Sequence, residues 1–125
     1  MYQIWKETEI SAAHFLRDYG GKCENLHGHN WRVRVYVESH ELDRTGMVVD
    51  FTELKRIMEE VDGRLDHREL NSVAPFDTVN PTAENIAKWY FDSCSELINN
   101  GGVRVSQVRV WETATSCAIF RGGDA

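Results

Sequence analysis

The stretch HGHNWRVRVYV, residues 27–37, decides the fold class, because a strand pattern follows directly after two histidines. From Trp31 to Val37 the odd positions are apolar, while the even positions hold two arginines and a tyrosine. Successive side chains of an extended chain point to opposite faces, so this alternation predicts a half-buried strand. The strand must belong to a sheet whose apolar face packs against other elements.

A first helix is predicted after Met47 to Val49, a short apolar segment that we interpret as the end of a return strand. Asp50 and Glu53 have the spacing of a capping box, so the helix begins at Asp50, and Gly63 ends it. Its apolar residues recur at helical spacing and predict one buried face, comprising Phe51, Leu54, Ile57, Met58, Val61 and Leu65.

A second helix is predicted to begin near Pro81 and Thr82, because proline suits the first turn of a helix and threonine is a good N-cap. Residues 99–102, two asparagines and two glycines, stop this helix. The predicted buried stripe comprises Ile86, Trp89, Tyr90, Leu97 and Ile98.

Three further strands are predicted, one at the N-terminal end from Tyr2 to Phe15 and two after the helices. The strand from Val103 to Glu112 changes its apolar parity, which a one-residue bulge near Ser106 or Gln107 explains. Ser116 to Arg121 forms the last strand. The order is strands, then two helices, then two strands. Because helices and strands occupy separate stretches of the chain, this order predicts an α+β fold, an antiparallel sheet with two helices on one face.

Length and composition narrow the class of protein. The 125 residues suit one domain, 1–125, and the net charge of -6 argues against non-specific nucleic-acid binding. The cysteines at 23, 94 and 117 form a poor disulfide framework, so a reducing cytoplasm is expected. No signal peptide and no membrane-spanning run is visible.

Three histidines stand where strands begin or end. Residues two apart in an extended chain point to the same side, so His27 and His29 can share one metal. If the first two long strands pair as a hairpin, His14 approaches both of them. Three histidines with an open position describe a catalytic zinc site, although an H-G-H string alone is more often an ordinary pair of surface or core residues.

Four other residues are candidates for chemistry. Cys23 is a fourth zinc ligand, a base or nucleophile, or an inert buried thiol. Asp66 and His67 form either an acid–base pair, in which the carboxylate orients the imidazole, or a simple polar turn. Glu112 is a solvated strand end, or it accepts two parallel hydrogen bonds from an amidine-like N–H pair of a ligand. The other two cysteines, Cys94 and Cys117, are interpreted as inert buried thiols.

Taken in chain order, these strings resemble the 6-pyruvoyl-tetrahydropterin synthase family. The resemblance runs from the first strand to Gly122, nearly the whole chain, and the three-residue spacer between Cys23 and His27 resembles the bacterial queuosine-pathway branch. The strings that carry it are Ala12-Ala13-His14, Cys23-x-x-x-His27-Gly28-His29, Asp50-Phe51-Thr52-Glu53-Leu54-Lys55, Leu65-Asp66-His67, Asn80-Pro81-Thr82-x-Glu84 and Glu112-Thr113.

The resemblance implies a tunnelling (T) fold, with an antiparallel four-stranded sheet and two helices on one face. It further implies a homo-oligomer, a trimer or a hexamer of two stacked trimers, with active sites between subunits. Carried over by motif, His14, His27 and His29 are Zn²⁺ ligands, and Glu112 anchors a pterin. The implied catalytic residues are Cys23, Asp66 and His67.

The resemblance implies a lyase reaction in queuosine or 7-deazapurine biosynthesis. The substrate is a small molecule, 7,8-dihydroneopterin triphosphate, which with water gives 6-carboxy-5,6,7,8-tetrahydropterin, acetaldehyde and triphosphate. Two alternatives remain open, a 6-pyruvoyl-tetrahydropterin synthase that only eliminates triphosphate and a non-catalytic protein that binds zinc or a pterin. Neither nucleic acid nor a membrane is expected as a partner.

Overall fold

The computed structural model describes residues 1–123 and consists of one sheet with two helices packed against it. The sheet order is β3-β1-β2-β4-β5. In chain order the elements are β1 (Tyr2–His14), β2 (His27–Ser39), α1 (Phe51–Asp62), β3 (Arg68–Glu69), α2 (Ala83–Ile98), β4 (Arg104–Thr113) and β5 (Ser116–Arg121).

The predicted α+β fold is confirmed, with one difference in the strand count. The four long strands are antiparallel neighbours, whereas β3 is a two-residue strand that pairs in parallel with Ala12 and Ala13 of β1. The sheet therefore has five strands rather than four. Two residues are too few to show an alternating pattern, so β3 leaves no periodic signal in the sequence.

The core lies between the helices and one face of the sheet. The odd positions of β2 from Trp31 to Val37 are fully buried, as predicted, and α2 packs mainly on β4 and β5 while α1 packs on β1. The helices bury Leu54, Met58 and Val61 of α1 and Ile86, Tyr90 and Cys94 of α2 against them. Two predicted core residues, Phe51 and Leu97, are instead exposed because they lie at the border of their helical faces.

The helix caps follow the sequence signals in part. The Asp50 carboxylate accepts a hydrogen bond from Thr52 N at 2.8 Å and caps α1, but Glu53 pairs with Arg56 and does not complete a capping box. Thr82 caps α2 by accepting from Asn85 N at 3.1 Å. Both helices thus begin where a short polar side chain takes up a free backbone N–H group.

The predicted bulge is confirmed at Ser106. Tyr36 pairs with Gln107 and Val37 pairs with Val105, so Ser106 is the extra residue of β4. The predicted return strand at residues 47–49 is wrong. Asp43 accepts hydrogen bonds from Thr45 N and Met47 N, which folds this segment into a turn instead of a strand.

Among residues 1–123, neither helix combines the length and apolar character that crossing a bilayer requires.

Candidate active site

Three imidazoles meet at the end of the β1–β2 hairpin where residues 15–26 connect the two strands. His14 lies directly opposite His27 in the antiparallel ladder, and His29 lies two residues further along β2 on the same face. The ring centroid of His14 lies 4.6 Å from the ring centroid of His27 and 5.2 Å from that of His29. One nitrogen from each ring lies within 4.8 Å of the other two, so the three residues can hold a metal ion.

Backbone carbonyls fix which nitrogen of two rings is free for a metal. His14 Nδ1 lies 2.7 Å from Pro81 O, and His27 Nδ1 lies 2.7 Å from Asn25 O. A carbonyl oxygen can only accept, so both Nδ1 atoms carry the proton and both Nε2 atoms have a lone pair. Such support of a ligating histidine is the usual outer shell of a metal site.

Burial favours the neutral form of two of the three rings. Burial lowers the pKa of His14 and of His29, although Glu112 acts in the opposite direction on both. The Nε2 atoms of these two histidines are buried and make no hydrogen bond within the described chain. Neutral imidazoles whose buried acceptor atoms lack partners fit a divalent transition-metal ion, which would satisfy those atoms.

An aromatic side chain forms the floor beneath the cluster. Trp31 is fully buried, and its ring contacts His14 and His29 edge-on with centroid distances of 4.8 and 5.1 Å. Its Nε1 donates to Ala12 O at 3.2 Å. The tryptophan therefore holds both imidazoles in place and closes the three-histidine cluster on its inner side.

Glu112 reaches the cluster from β4. Its Oε1 lies 3.7 Å from His29 Nε2, and its Oε2 lies 3.9 Å from His14 Nε2. It also lines a cleft of about 300 Å³ together with Glu84 at the start of α2. The strand end thus brings a carboxylate between the histidines and a cleft that already contains a second acidic side chain.

Asp66 and His67 dock beside the same hairpin. Asp66 accepts a hydrogen bond from Ser11 N at 2.8 Å, and His67 N donates to Ser11 O at 2.6 Å. The Ser11 N–H group lowers the pKa of Asp66, and the His67 side chain lowers it further. His67 Nδ1 lies 3.0 Å from the Asp66 carboxylate, so this pair has the geometry of an imidazole oriented by a carboxylate.

His67 has an unusual backbone and an exposed ring. Its φ is 60°, in the left-handed region that non-glycine residues rarely adopt, and its side chain is 79% exposed. The ring lines a second cleft, of about 530 Å³, whose walls include His29 and Arg68. Strained residues are frequent at functional sites, and this one presents its imidazole to an open cleft beside the metal cluster.

Cys23 lies outside the three-histidine cluster. It sits in a short 3-10 turn, Lys22–Glu24, and its carbonyl accepts from Leu16 N at 2.6 Å. Within residues 1–123, the donor atoms that gather around a common centre come from the three histidines, without this thiol. Across the described residues, the hydrogen bonds of the structure do not join this thiol to His67, and the thiol is half-buried.

The other two cysteines differ from each other. Cys94 is buried in α2, as predicted, and burial raises its pKa to about 12. Cys117 is exposed, so the prediction of a buried thiol is wrong. The cause is strand alternation. Ala118 and Phe120 are the half-buried residues of β5, so Cys117 lies on the opposite, exposed face, where it lines the cleft that contains Glu112.

Two asparagines to which the sequence analysis gave no role hold the end of β1. The side-chain amide of Asn71 exchanges two hydrogen bonds of 2.9 Å with the backbone of Phe15, and Asn80 does the same with Arg17. These amides act like neighbouring strand residues and fix the backbone just after His14. For Asn80 the available signal was its place in the string Asn80-Pro81-Thr82-x-Glu84.

Comparisons with known proteins agree with this arrangement. The family model "6-pyruvoyl tetrahydropterin synthase" matches residues 3–123. A Synechocystis protein named 6-carboxy-5,6,7,8-tetrahydropterin synthase is 42% identical, over 96% of this chain and 93% of that protein. The human 6-pyruvoyl tetrahydrobiopterin synthase is 34% identical, over 96% of this chain and 91% of its own.

A solved structure shows the same likeness in three dimensions. The 6-pyruvoyl tetrahydropterin synthase of Caenorhabditis elegans superposes with a TM-score of 0.87 at 31% identity, covering 98% of this chain and 96% of the other. Sequence, fold and the three-histidine cluster all point the same way: the chain belongs to the 6-pyruvoyl tetrahydropterin synthase family.

Proposed function

We propose that this protein is a zinc-dependent 6-carboxy-5,6,7,8-tetrahydropterin synthase. In this proposal it converts 7,8-dihydroneopterin triphosphate and water to 6-carboxy-5,6,7,8-tetrahydropterin, acetaldehyde and triphosphate, in cytoplasmic queuosine or 7-deazapurine biosynthesis. The observation that carries the proposal is the convergence of His14, His27 and His29 beside Glu112 at the edge of two clefts. The 42% identity to a Synechocystis protein of that name favours this reaction.

The metal in this proposal is Zn²⁺, held by His14, His27 and His29. Three neutral imidazoles with one open position are a frequent ligand set of catalytic zinc. The protonated Nδ1 atoms of His14 and His27 direct their Nε2 lone pairs to the ion. When bound, zinc supplies Lewis-acid chemistry at the substrate's side chain.

Cys23, Asp66 and His67 are the proposed proton-transfer groups. The Asp66 carboxylate lies 3.0 Å from His67 Nδ1 and orients the ring in this proposal, with His67 Nε2 delivering or removing a proton at the side chain of the substrate. Cys23 Sγ acts as the partner base. The resemblance implies active sites between subunits, so we propose that a neighbouring subunit brings Cys23 and His67 together.

Glu112 is the proposed anchor for the pterin ring. Its carboxylate faces the cleft shared with Glu84, Ser116 and Cys117, and it can accept two parallel hydrogen bonds from the 2-amino and N3 edge. Anchoring there directs the rest of the substrate toward the three histidines, because Glu112 lies within 4 Å of His14 and His29.

Product analysis separates the proposal from its alternatives. Zinc-loaded protein is incubated with 7,8-dihydroneopterin triphosphate, and the products are identified by mass. The proposal requires acetaldehyde and the 6-carboxy pterin in equal amounts. A 6-pyruvoyl product without acetaldehyde identifies the alternative activity, which the 34% identity to the human synthase favours. Absence of turnover together with tight pterin binding identifies a non-catalytic protein.

A further inference from the structure

The Glu112 carboxylate lies close to two imidazoles of the three-histidine cluster. Its two carboxylate oxygens approach different histidines, Oε1 at 3.7 Å from His29 Nε2 and Oε2 at 3.9 Å from His14 Nε2. Both nitrogens are buried and make no hydrogen bond in the described chain. The carboxylate therefore lies over the open side of the cluster, where a bound ion would have its fourth position.

The distances are those of near-ligands. Donor atoms that share one tetrahedral zinc ion, each about 2.1 Å from it, lie roughly 3.4 Å apart. Glu112 exceeds that separation by only a few tenths of an ångström toward two histidines, although it is not among the donors that gather within 4.8 Å of one another. A small rotation of the side chain brings one oxygen to the ion.

We propose that Glu112 is a reversible fourth ligand of the metal, bound to the ion while the cleft is empty and released when a pterin arrives. This inference rests on the proposed zinc and pterin chemistry of the same site. Each carboxylate oxygen approaches one of the two histidines, and two parallel hydrogen bonds to the ring edge require both oxygens to turn to the ring, so ring recognition competes with metal binding. Ring recognition at Glu112 therefore frees the fourth position of the metal, and the ion becomes available only when a ring is bound.

Glu84 provides the contrast within the same cleft. It is also a carboxylate and lines the same 300 Å³ space, but it lies on α2 and forms no pair within 4 Å of a histidine in the part of the chain described. A Glu84→Gln substitution removes an equal charge from the cleft without touching the cluster. It is the matched control for Glu112→Gln.

The test uses metal affinity and cobalt spectroscopy instead of turnover. Zinc affinity is measured by chelator competition for the wild type, Glu112→Gln and Glu84→Gln. Loss of the charged ligand should weaken zinc binding about 10- to 100-fold in Glu112→Gln, while Glu84→Gln keeps the wild-type value. The Co²⁺ form of Glu112→Gln should show a visible spectrum different from that of the wild type.

The release step is tested with 6-methyl-7,8-dihydropterin, which has the ring edge but no side-chain oxygen that could bind the ion. It should shift the Co²⁺ spectrum of the wild type toward that of Glu112→Gln and leave the variant's spectrum unchanged. The lumazine analogue, which lacks the 2-amino group, should have little effect on either protein.

Equal zinc affinity and identical Co²⁺ spectra in the wild type and Glu112→Gln would overturn the inference, as would a wild-type spectrum that does not respond to saturating pterin. Failure of the proposed function has a different signature. Zinc-loaded wild type that leaves 7,8-dihydroneopterin triphosphate unchanged refutes the proposed reaction, while the comparison of metal affinities and spectra still decides the role of Glu112.

Discussion

His14 and His27 face each other across the last pair of the β1–β2 ladder, with ring centroids 4.6 Å apart. Opposed residues of an antiparallel pair project from the same face of the sheet, so the strand register itself brings the two rings together. A shift of the register by one residue would turn His14 to the opposite face from His27 and His29. The candidate metal site is thus a direct consequence of hairpin pairing.

Removing a ligand should remove the metal. We expect His27→Ala and His29→Ala each to lower zinc content and activity together, since two imidazoles hold the ion much less tightly than three. Zinc is measured per subunit by elemental analysis, with about one ion expected in the wild type. His40→Ala is the control, because His40 is exposed and lies outside the cluster. A double variant of His27 and His29 that stays metallated and active would exclude this site.

Cys23→Ala should separate proton transfer from metal binding. The thiol lies outside the three-histidine cluster, so we expect zinc and the fold to be retained. Turnover should fall by a factor of about a hundred or more, the usual effect of losing a general base. Single-turnover kinetics and zinc content are measured on the same preparation. Zinc loss from this variant would instead make Cys23 a ligand and refute its role as the base.

Glu112→Gln should weaken pterin binding. Glutamine keeps the size of the side chain, but its NH₂ group faces the N–H groups of the ring edge, a mismatch that costs about 2–4 kcal/mol. Binding is measured by calorimetry with zinc in excess, so that the metal site is filled in both proteins. The product should not change, because Glu112 does not act on the side chain. Wild-type affinity in this variant would remove Glu112 from the ring site.

The metal-free protein should lose stability below about pH 6.5, the ordinary pKa of histidine. Burial lowers the pKa of His14 and His29 in the folded chain, so the unfolded chain takes up protons first as the pH falls. The free energy of unfolding should therefore decrease from pH 6.5 down to the lowered pKa values. Urea titrations between pH 7.5 and 5 measure the slope.

The control for this pH dependence is a pair of variants. The double variant His14→Gln and His29→Gln should lose most of the slope near pH 6, whereas His40→Gln, which changes an exposed histidine, should keep it. An unchanged slope in the double variant would assign the pH dependence to other groups. Asp66, whose pKa is lowered, contributes only at more acidic pH, below about 3.8.

The protein should form a trimer or hexamer in solution. β3 covers only Ala12 and Ala13 of β1, which leaves the outer edge of Tyr2–Ser11 unpaired within residues 1–123, and β5 forms the other edge of the sheet. An unpaired strand edge offers free backbone N–H and C=O groups to a strand of another chain. Light scattering at micromolar concentration measures the mass. An active monomer would contradict the proposal that two subunits share each site.

Local patterns were enough to predict the larger elements. The alternation from Trp31 to Val37 and the parity change near Ser106 depend on residues that are close in the chain, and the structure contains both the buried strand face and the bulge. Phe51 and Leu97 were misplaced because a helical face has borders that periodicity alone does not define. Cys117 was misplaced because its side of the strand depends on register.

The sequence by itself determined the α+β order, the helix caps and the candidate set of three histidines, because each signal lies in a few consecutive residues or in a recurring period. Only the tertiary structure decided how near Glu112 comes to His14. Glu112 Oε2 lies 3.9 Å from His14 Nε2, although the two residues are far apart in the sequence. It also decided that Pro81 O fixes the His14 tautomer and that Asn71 and Asn80 hold the chain beyond it. These contacts join distant segments, and their geometry follows from strand register and helix packing, which no local pattern contains.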